Sequence, residues 1–224
     1  TVADSSSTFE ACQILNKFSI DVPSNVTAWL GSDDSETPKL GDKVFDLVEN
    51  IIIARPQGSL EKAAYKAQEL GLETLILGDA IEGEARDIAL LHADLARAIY
   101  DGKGPVKPPA VLLSGGELTV TIKGVGGCGG PNTEYLLAMA LALNGLENIY
   151  AMACDTDGID GSEDNAGGFI TPISLSKAKE VDIDPTKLLA NNNAYTFFEK
   201  LGDLVITGPT LTNVNDFRAI LILP

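Results

Sequence analysis

A chain of 224 residues with 32 Asp and Glu against 16 Lys and Arg, net charge −16, is poorly suited to nucleic acid, whose phosphates are gripped by basic side chains. At 45% hydrophobic it can bury a substantial core, and with no apolar run near the roughly 18 residues of a membrane span, a soluble cytoplasmic protein without a signal peptide is expected. Cys12, Cys128 and Cys154 form no C-x-x-C pair, and His92 is the only histidine, which argues against zinc chemistry and a Ser-His-Asp triad.

Residues 1–40 carry too little apolar surface for a domain. Ser7 or Thr8 caps a short helix, Pro23-Ser24 opens a second over 24–30, and Gly31–Gly41 is a loop without apolar period. From Val44 the pattern alternates. VENIIIAR reads as a strand, SLEKAAYKAQELG as an amphipathic helix closed by Gly71, and ETLILGD as a strand. IEGEARDIALLHADLARAIYDG reads as a long helix with His92 on a surface or half-buried position, and AVLLSGG as a buried strand. Such alternation implies parallel βαβ units with helices over the sheet. LTVTIKG alternates apolar with polar, which fits a half-exposed antiparallel strand. NTEYLLAMALALNG is apolar nearly all round, hence a buried helix. NIYAMAC is a buried strand, SLSKAKEV and DPTKLLANNNAYTFFEKLG are helical, and LVITG and FRAILIL are the last strands. The expected fold is α/β: a three-layer α/β/α domain over 44–224 with a mixed, mainly parallel sheet, preceded by a small helical tail over 1–43.

Three glycine- and acid-rich loops, each after a strand-like segment, occupy 112–168. Ser114-Gly115-Gly116-Glu117 lets backbone approach a ligand, because glycine has no Cβ. Gly124–Gly130 brings backbone N–H groups to a helix start, where the macrodipole favours an anion; a purely structural turn is the alternative. Gly124 to Gly129 also matches G-x-G-x-x-G, but the preceding TVTIK alternates, whereas a dinucleotide-binding strand is buried on both faces. Asp155, Asp157 and Asp160 follow an apolar strand and suit Mg²⁺ or substrate hydroxyls, while Asp-Gly pairs are also ordinary turn residues. An EF-hand is excluded, since its twelfth position falls on Ala166 or Gly168. The polar loop Thr207–Asp216 offers donors and acceptors for a hydroxylated ligand or nucleotide, or an Asx/ST-turn network of its own. Asn191–Asn193 reads as a helix bend or cap.

Together LLSGGELTVTIKG, GGCGGPNTEYLLAMALAL, DTDGIDGSEDNAGG, NNNAYTFFEKLGDL and ITGPTLTNVNDFRAILIL resemble the class II glycerate kinase family, whose C-terminal part is the MOFRL domain, here about 110–224. VENIIIA, LGDAIEGEARDIALLHADLA and the opening TVAD fall in register with it. Similar members are often labelled hydroxypyruvate reductase of the tartrate-utilisation type. The resemblance implies a glycerate 2-kinase that uses ATP and Mg²⁺ to make 2-phosphoglycerate. It implies a preceding Rossmann-like domain that supplies a catalytic lysine, with residues 1–43 as that domain's tail and linker. By the same resemblance Asp155 and Asp157 are catalytic and Asp157 a metal ligand. Ser114, Gly115, Gly116, Glu117, Gly129, Gly130, Asn132, Glu134, Thr210, Thr212, Asn213 and Asn215 would bind substrate or nucleotide. The alternatives are an NAD(P)H-dependent hydroxypyruvate reductase and a non-catalytic ligand-binding domain. The partners expected are a small molecule (glycerate or hydroxypyruvate), the preceding domain and a second copy in a homodimer, with no nucleic acid and no membrane. One departure stands out. Family members commonly have Gly-Gly-Arg-Asn-Gln-Glu where this chain has Gly129-Gly130-Pro131-Asn132-Thr133-Glu134. Proline suits a first helical position but cannot replace an arginine's phosphate-clamping fork.

Overall fold

The computed structural model describes residues 2–123 and 126–224. Gly124 and Val125, which open the glycine motif, and Thr1 of the TVAD block lie outside the described residues. The chain divides into two compact units, one running to Ile53 and the other Ala54–Pro224.

The first unit holds helices α1 (Thr8–Lys17) and α2 (Ser24–Leu30). Ser7 caps α1 in a reciprocal box with Glu10, as a Ser three residues before a Glu favours. Neither helix buries a residue, and Phe9 and Trp29 are exposed. VENIIIAR is not a strand. Ile51, Ile52 and Ile53 are exposed, because the described residues of this unit contain no strand with which to form a ladder.

The second unit runs α3 (Pro56–Glu69), β1 (Glu73–Gly78), β2 (Gly83–Glu84), α4 (Ala85–Tyr100), β3 (Ala110–Gly116), β4 (Leu118–Thr119) and α5 (Pro131–Leu143). It continues with β5 (Ile149–Asp155), β6 (Gly167–Ile170), α6 (Ser174–Glu180), α7 (Pro185–Ala190), α8 (Ala194–Leu201), β7 (Leu204–Val205) and β8 (Asp216–Ile222). Asn191–Asn193 separate α7 from α8, with Asn192 at a positive φ that halts a helix. β6, whose Gly167-Gly168 carry no strand signal, escaped the sequence reading.

Six strands form one sheet in the order β1-β3-β8-β5-β6-β7. The sheet is mixed, as expected, but it is not mainly parallel. Only β1 and β3 pair in parallel; the other four pairings are antiparallel. α4 crosses over between the parallel neighbours β1 and β3, whereas β6 and β7, joined through α6, α7 and α8, pair antiparallel. The last strand, β8, returns between β3 and β5 and runs against both, which converts an expected parallel centre into an antiparallel one. LTVTIKG departs too. Only Leu118–Thr119 form a strand, and they pair in parallel with β2 in a separate two-stranded ladder. Beyond it the chain is tied by a side chain instead, since Glu84 accepts both the N–H and the hydroxyl of Thr121.

Helices flank both faces, unevenly. Leu112, Ile149, Ala151, Ile220 and Ile222 share one core with α4, α5 and α8. Val111 and Leu113 point the other way, into a smaller core with Leu60 and Ala64 of α3. Among the described residues α3 is the only helix in that core, and Tyr150, Met152 and Phe169 stay over a third exposed, so β5 is buried on one face only. α5 is buried nearly all round because it lies against the centre of the sheet, between α4, α7 and α8.

β8 carries two charges into this core. Arg218 is 1% exposed and bonds the Asp216 carboxylate through Nη1 at 2.8 Å and the Gly115 carbonyl through Nη2 at 2.7 Å. Its guanidinium also lies 5.8 Å from the centre of the Tyr135 ring, whose hydroxyl meets His92 Nδ1 at 2.8 Å. His92 is therefore buried, not surface or half-buried, and burial with the nearby Arg218 charge lowers its pKa to about 4. Breaking a buried ion pair by removing one partner costs about 3–5 kcal/mol. Arg218→Ala should lose stability of that order in urea unfolding. Arg218→Lys should recover only part of it, because an ammonium cannot reach Asp216 and the Gly115 carbonyl with one planar fork.

Candidate active site

At one end of the sheet, Gly116 pairs with Asp216 and Asp216 with Asp155, so the ends of β3 and β5 flank the start of β8. Three groups of residues gather around this edge, and the residues anticipated from sequence divide among them.

The first group faces inward. Ser114 is buried with its hydroxyl near Arg218 Nε at 3.4 Å, and the Gly115 carbonyl also accepts the Ile81 N–H. Gly116 sits at φ +105 against the Ala80–Ile81 backbone, where a Cβ would collide. Ser114, Gly115 and Gly116 therefore close the strand end and hold β8. Glu117 alone of that tetrapeptide is exposed.

The second group is the start of α5. The anion at this helix terminus is part of the protein. Asp160 accepts the N–H of Asn132 at 2.9 Å on Oδ1 and the N–H of Thr133 at 2.8 Å on Oδ2, and the Thr133 hydroxyl adds a third bond. Burial raises the Asp160 pKa while these donors pull it down. The expectation of a ligand anion on these amides is thus corrected: a carboxylate 28 residues downstream caps them. Gly130 is required here, since a Cβ would run into the Asp160 backbone. Asn132 links Asp160 to Asp216, bonding the latter at 2.7 Å. Glu134 is buried, salt-bridged to Arg86 at 2.6 Å and bonded by the Asn192 amide at 3.0 Å.

Asn192 and Asn193 are more than a helix bend. Asn192 Oδ1 accepts the Lys123 N–H and Asn193 Oδ1 the Cys128 N–H, so the interhelical turn fastens both flanks of the glycine loop. Three consecutive carboxamides were the available signal. A cavity of about 310 Å³ lies beside this loop, lined by Gly129, Gly130, Glu134 and Asn192 together with the apolar Val120, Ile122, Pro131 and Ala194.

The third group joins the loop after β5 to the loop before β8. Thr210 donates its N–H to the Asp157 carbonyl and its hydroxyl to the Thr156 carbonyl. The Thr156 hydroxyl bonds the Asn215 carbonyl at 2.8 Å, Asn213 Nδ2 lies 3.4 Å from Asp157 Oδ2, and the Thr212 carbonyl accepts from Thr210. Asp155 is half-buried, accepts the Asp157 N–H, and is pushed up to about 6, chiefly by burial and also by the Asp157 and Asp216 charges. Asp155, Asp157, Thr210, Thr212, Asn213 and Asn215 thus form one neighbourhood. Gly161 and Ser162, further along the same loop, reach the cavity. Among the described residues, no group of three or more His, Cys, Asp or Glu side chains could hold a metal. Asp157, the expected metal ligand, has the Asp155 carboxylate beside it, so any Mg²⁺ here would take most of its ligands from phosphate and water.

Residues 110–216 match the MOFRL family. A protein of Agrobacterium vitis named "Putative hydroxypyruvate reductase" is 48% identical over 99% of this chain and 50% of its own length. The D-glycerate 2-kinase of Thermotoga maritima is 36% identical over 95% of this chain and 49% of its own. The crystal structure of a glycerate kinase from Thermotoga maritima superposes with a TM-score of 0.82 at 35% identity, covering 98% of this chain and 51% of that one. The chain therefore spans about half the length of these relatives. Among the described residues, no helix is long and apolar enough to cross a membrane.

The Asp160 cap sets a test of this arrangement. Asp160→Ala leaves buried amides without an acceptor, so a loss of about 2–4 kcal/mol in urea unfolding is expected. Asp160→Asn, which retains one acceptor oxygen, should lose less.

Proposed function

Because the chain belongs to the MOFRL/glycerate kinase family and spans about half of its relatives, we propose that it is the acceptor-side portion of a glycerate 2-kinase. The remaining portion, a preceding Rossmann-like domain with a lysine for the nucleotide phosphates, completes the active site, and residues 1–43 are its tail. The observation that carries the reading is Asp155: a half-buried carboxylate at a strand end, titrating near 6, beside a hydroxyl- and amide-rich loop. A base for an alcohol must be ionised at neutral pH yet basic enough to take the proton, and a pKa of about 6 meets both needs.

In this mechanism Thr210, Asn213 and the Asp157 carboxylate orient D-glycerate, and Asp155 accepts the proton of its 2-hydroxyl. The freed oxygen bonds to the γ-phosphorus of ATP as the bond to ADP breaks, giving 2-phosphoglycerate and ADP. Mg²⁺ held at Asp157 by phosphate oxygens and water would neutralise phosphate charge, leaving Asp155 free as the base. Positioning and charge neutralisation do most of the work in phosphoryl transfer. The competing reading, reduction of hydroxypyruvate, draws on the names of two Agrobacterium vitis relatives. It requires a proton donor beside the carbonyl, and the one histidine is sealed against Tyr135 and stays neutral.

The test is a pair of coupled assays on a chain of the relatives' full length: ATP consumption with D-glycerate, and NAD(P)H oxidation with hydroxypyruvate. Turnover in the first and none in the second is expected; the reverse would overturn the kinase reading. The kinase rate should fall about tenfold per unit below about pH 6, as Asp155 becomes protonated. Asp157→Asn removes a charge that raises the Asp155 pKa, so the acid limb should move to lower pH. Asp155→Asn should cut kcat by about a hundredfold or more.

A further inference from the structure

We propose that the cavity beside the glycine loop takes the uncharged planar ring of a purine nucleoside, and not a phosphate or carboxylate. A glycine-rich loop before a helix is the usual place to look for a bound anion. Here the features that would hold one are already used or missing. The first amides of α5 are bonded to Asp160, and among the described residues no Lys or Arg lines the cavity. Its one charged lining group is the Glu134 carboxylate, whose partner Arg86 is not among the lining residues. That carboxylate and Arg86 are already paired at 2.6 Å, so the pair leaves no cationic group for a phosphate, in a chain whose net charge is −16.

The surface that remains is mostly apolar. Val120 and Ile122 come from the segment after β4, Pro131 from the first turn of α5 and Ala194 from the start of α8. Aliphatic walls from three separate elements suit the faces of a flat ring. Ser162 and the glycine backbone add polar groups at the ring edge, while the Asn192 amide is held by Glu134 and the Lys123 N–H. At about 310 Å³ the cavity sits at the small end of ligand pockets, enough for a base with part of its sugar but not for a whole nucleoside triphosphate. The phosphates would then lie outside it. The inference rests on the kinase reading only for the choice of purine among flat heterocycles.

The experiment is calorimetric titration of the 224-residue chain with adenosine, inorganic phosphate and D-glycerate in turn. Adenosine should bind saturably, and neither anion should displace it. Ile122 is 73% exposed, so Ile122→Asp should fold normally while placing a charge on the cavity wall. That variant should weaken adenosine about tenfold, and Ile122→Ala by less. The inference is overturned if adenosine does not bind, if Ile122→Asp leaves its affinity unchanged, or if phosphate displaces it. Kinase turnover at full length without adenosine binding here would remove the ring assignment and leave the kinase reading standing. Adenosine binding that depends on Ile122, with no turnover, would do the reverse.

Discussion

The buried Arg218–Asp216 pair constrains everything around it. Two charges inside a sheet need hydrogen-bonding partners, and here each recruits a different element. Arg218 takes the carbonyl at the end of β3 and the face of Tyr135 on α5. Asp216 takes Asn132, which also reaches Asp160. Sheet end, helix start and aspartate loop are therefore fixed to one another by a single hydrogen-bonded chain. The loops at this edge connect elements that cannot shift independently, which is the condition for holding reacting groups in place.

Electrostatics divides the edge into two unlike regions. Around Asp155, burial and neighbouring carboxylates raise one pKa and favour a group that can accept a proton or share a cation. Around the glycine loop, the protein's own carboxylate occupies the helix terminus, and what remains is an apolar hollow. Pro131 contributes to this division. It starts α5 without an N–H to satisfy, and it brings carbon where a basic side chain would bring charge.

Burial is similarly uneven. The core is deep on the face that α4 and α5 cover, whereas on the opposite face α3 packs only against β1, β3 and β8. Tyr150, Met152 and Phe169 are left exposed on the uncovered strands, and in the first unit Phe9, Trp29 and Ile51–Ile53 are exposed.

Much was legible in the sequence because it is written locally. The Ser7–Glu10 box, the 3.6-residue period of α3 and α4, the all-round apolarity of α5 and the run of β3 each follow from neighbouring residues, and each element forms close to its expected bounds. The clustering of Asp155 and Asp157 with Thr210 and Asn213 could be anticipated as polar loops beyond strand ends. Strand direction could not. β8 reads the same whether it joins an edge or enters the centre reversed, because its alternating pattern fits either placement. Nor does a run such as Ile51–Ile53 state whether a ladder partner exists. Asp160, His92 and Arg218 were ambiguous for a related reason: a charged or titratable residue in sequence looks solvated. Only the tertiary structure supplies the helix amides, the tyrosine hydroxyl and the carbonyls that make burying it tolerable. The sequence by itself determined where helices and loops form, since those depend on residues within a few positions. The tertiary structure alone decided which charges turn inward, since, apart from the Asp216–Arg218 contact itself, their partners lie 27 to 104 residues away.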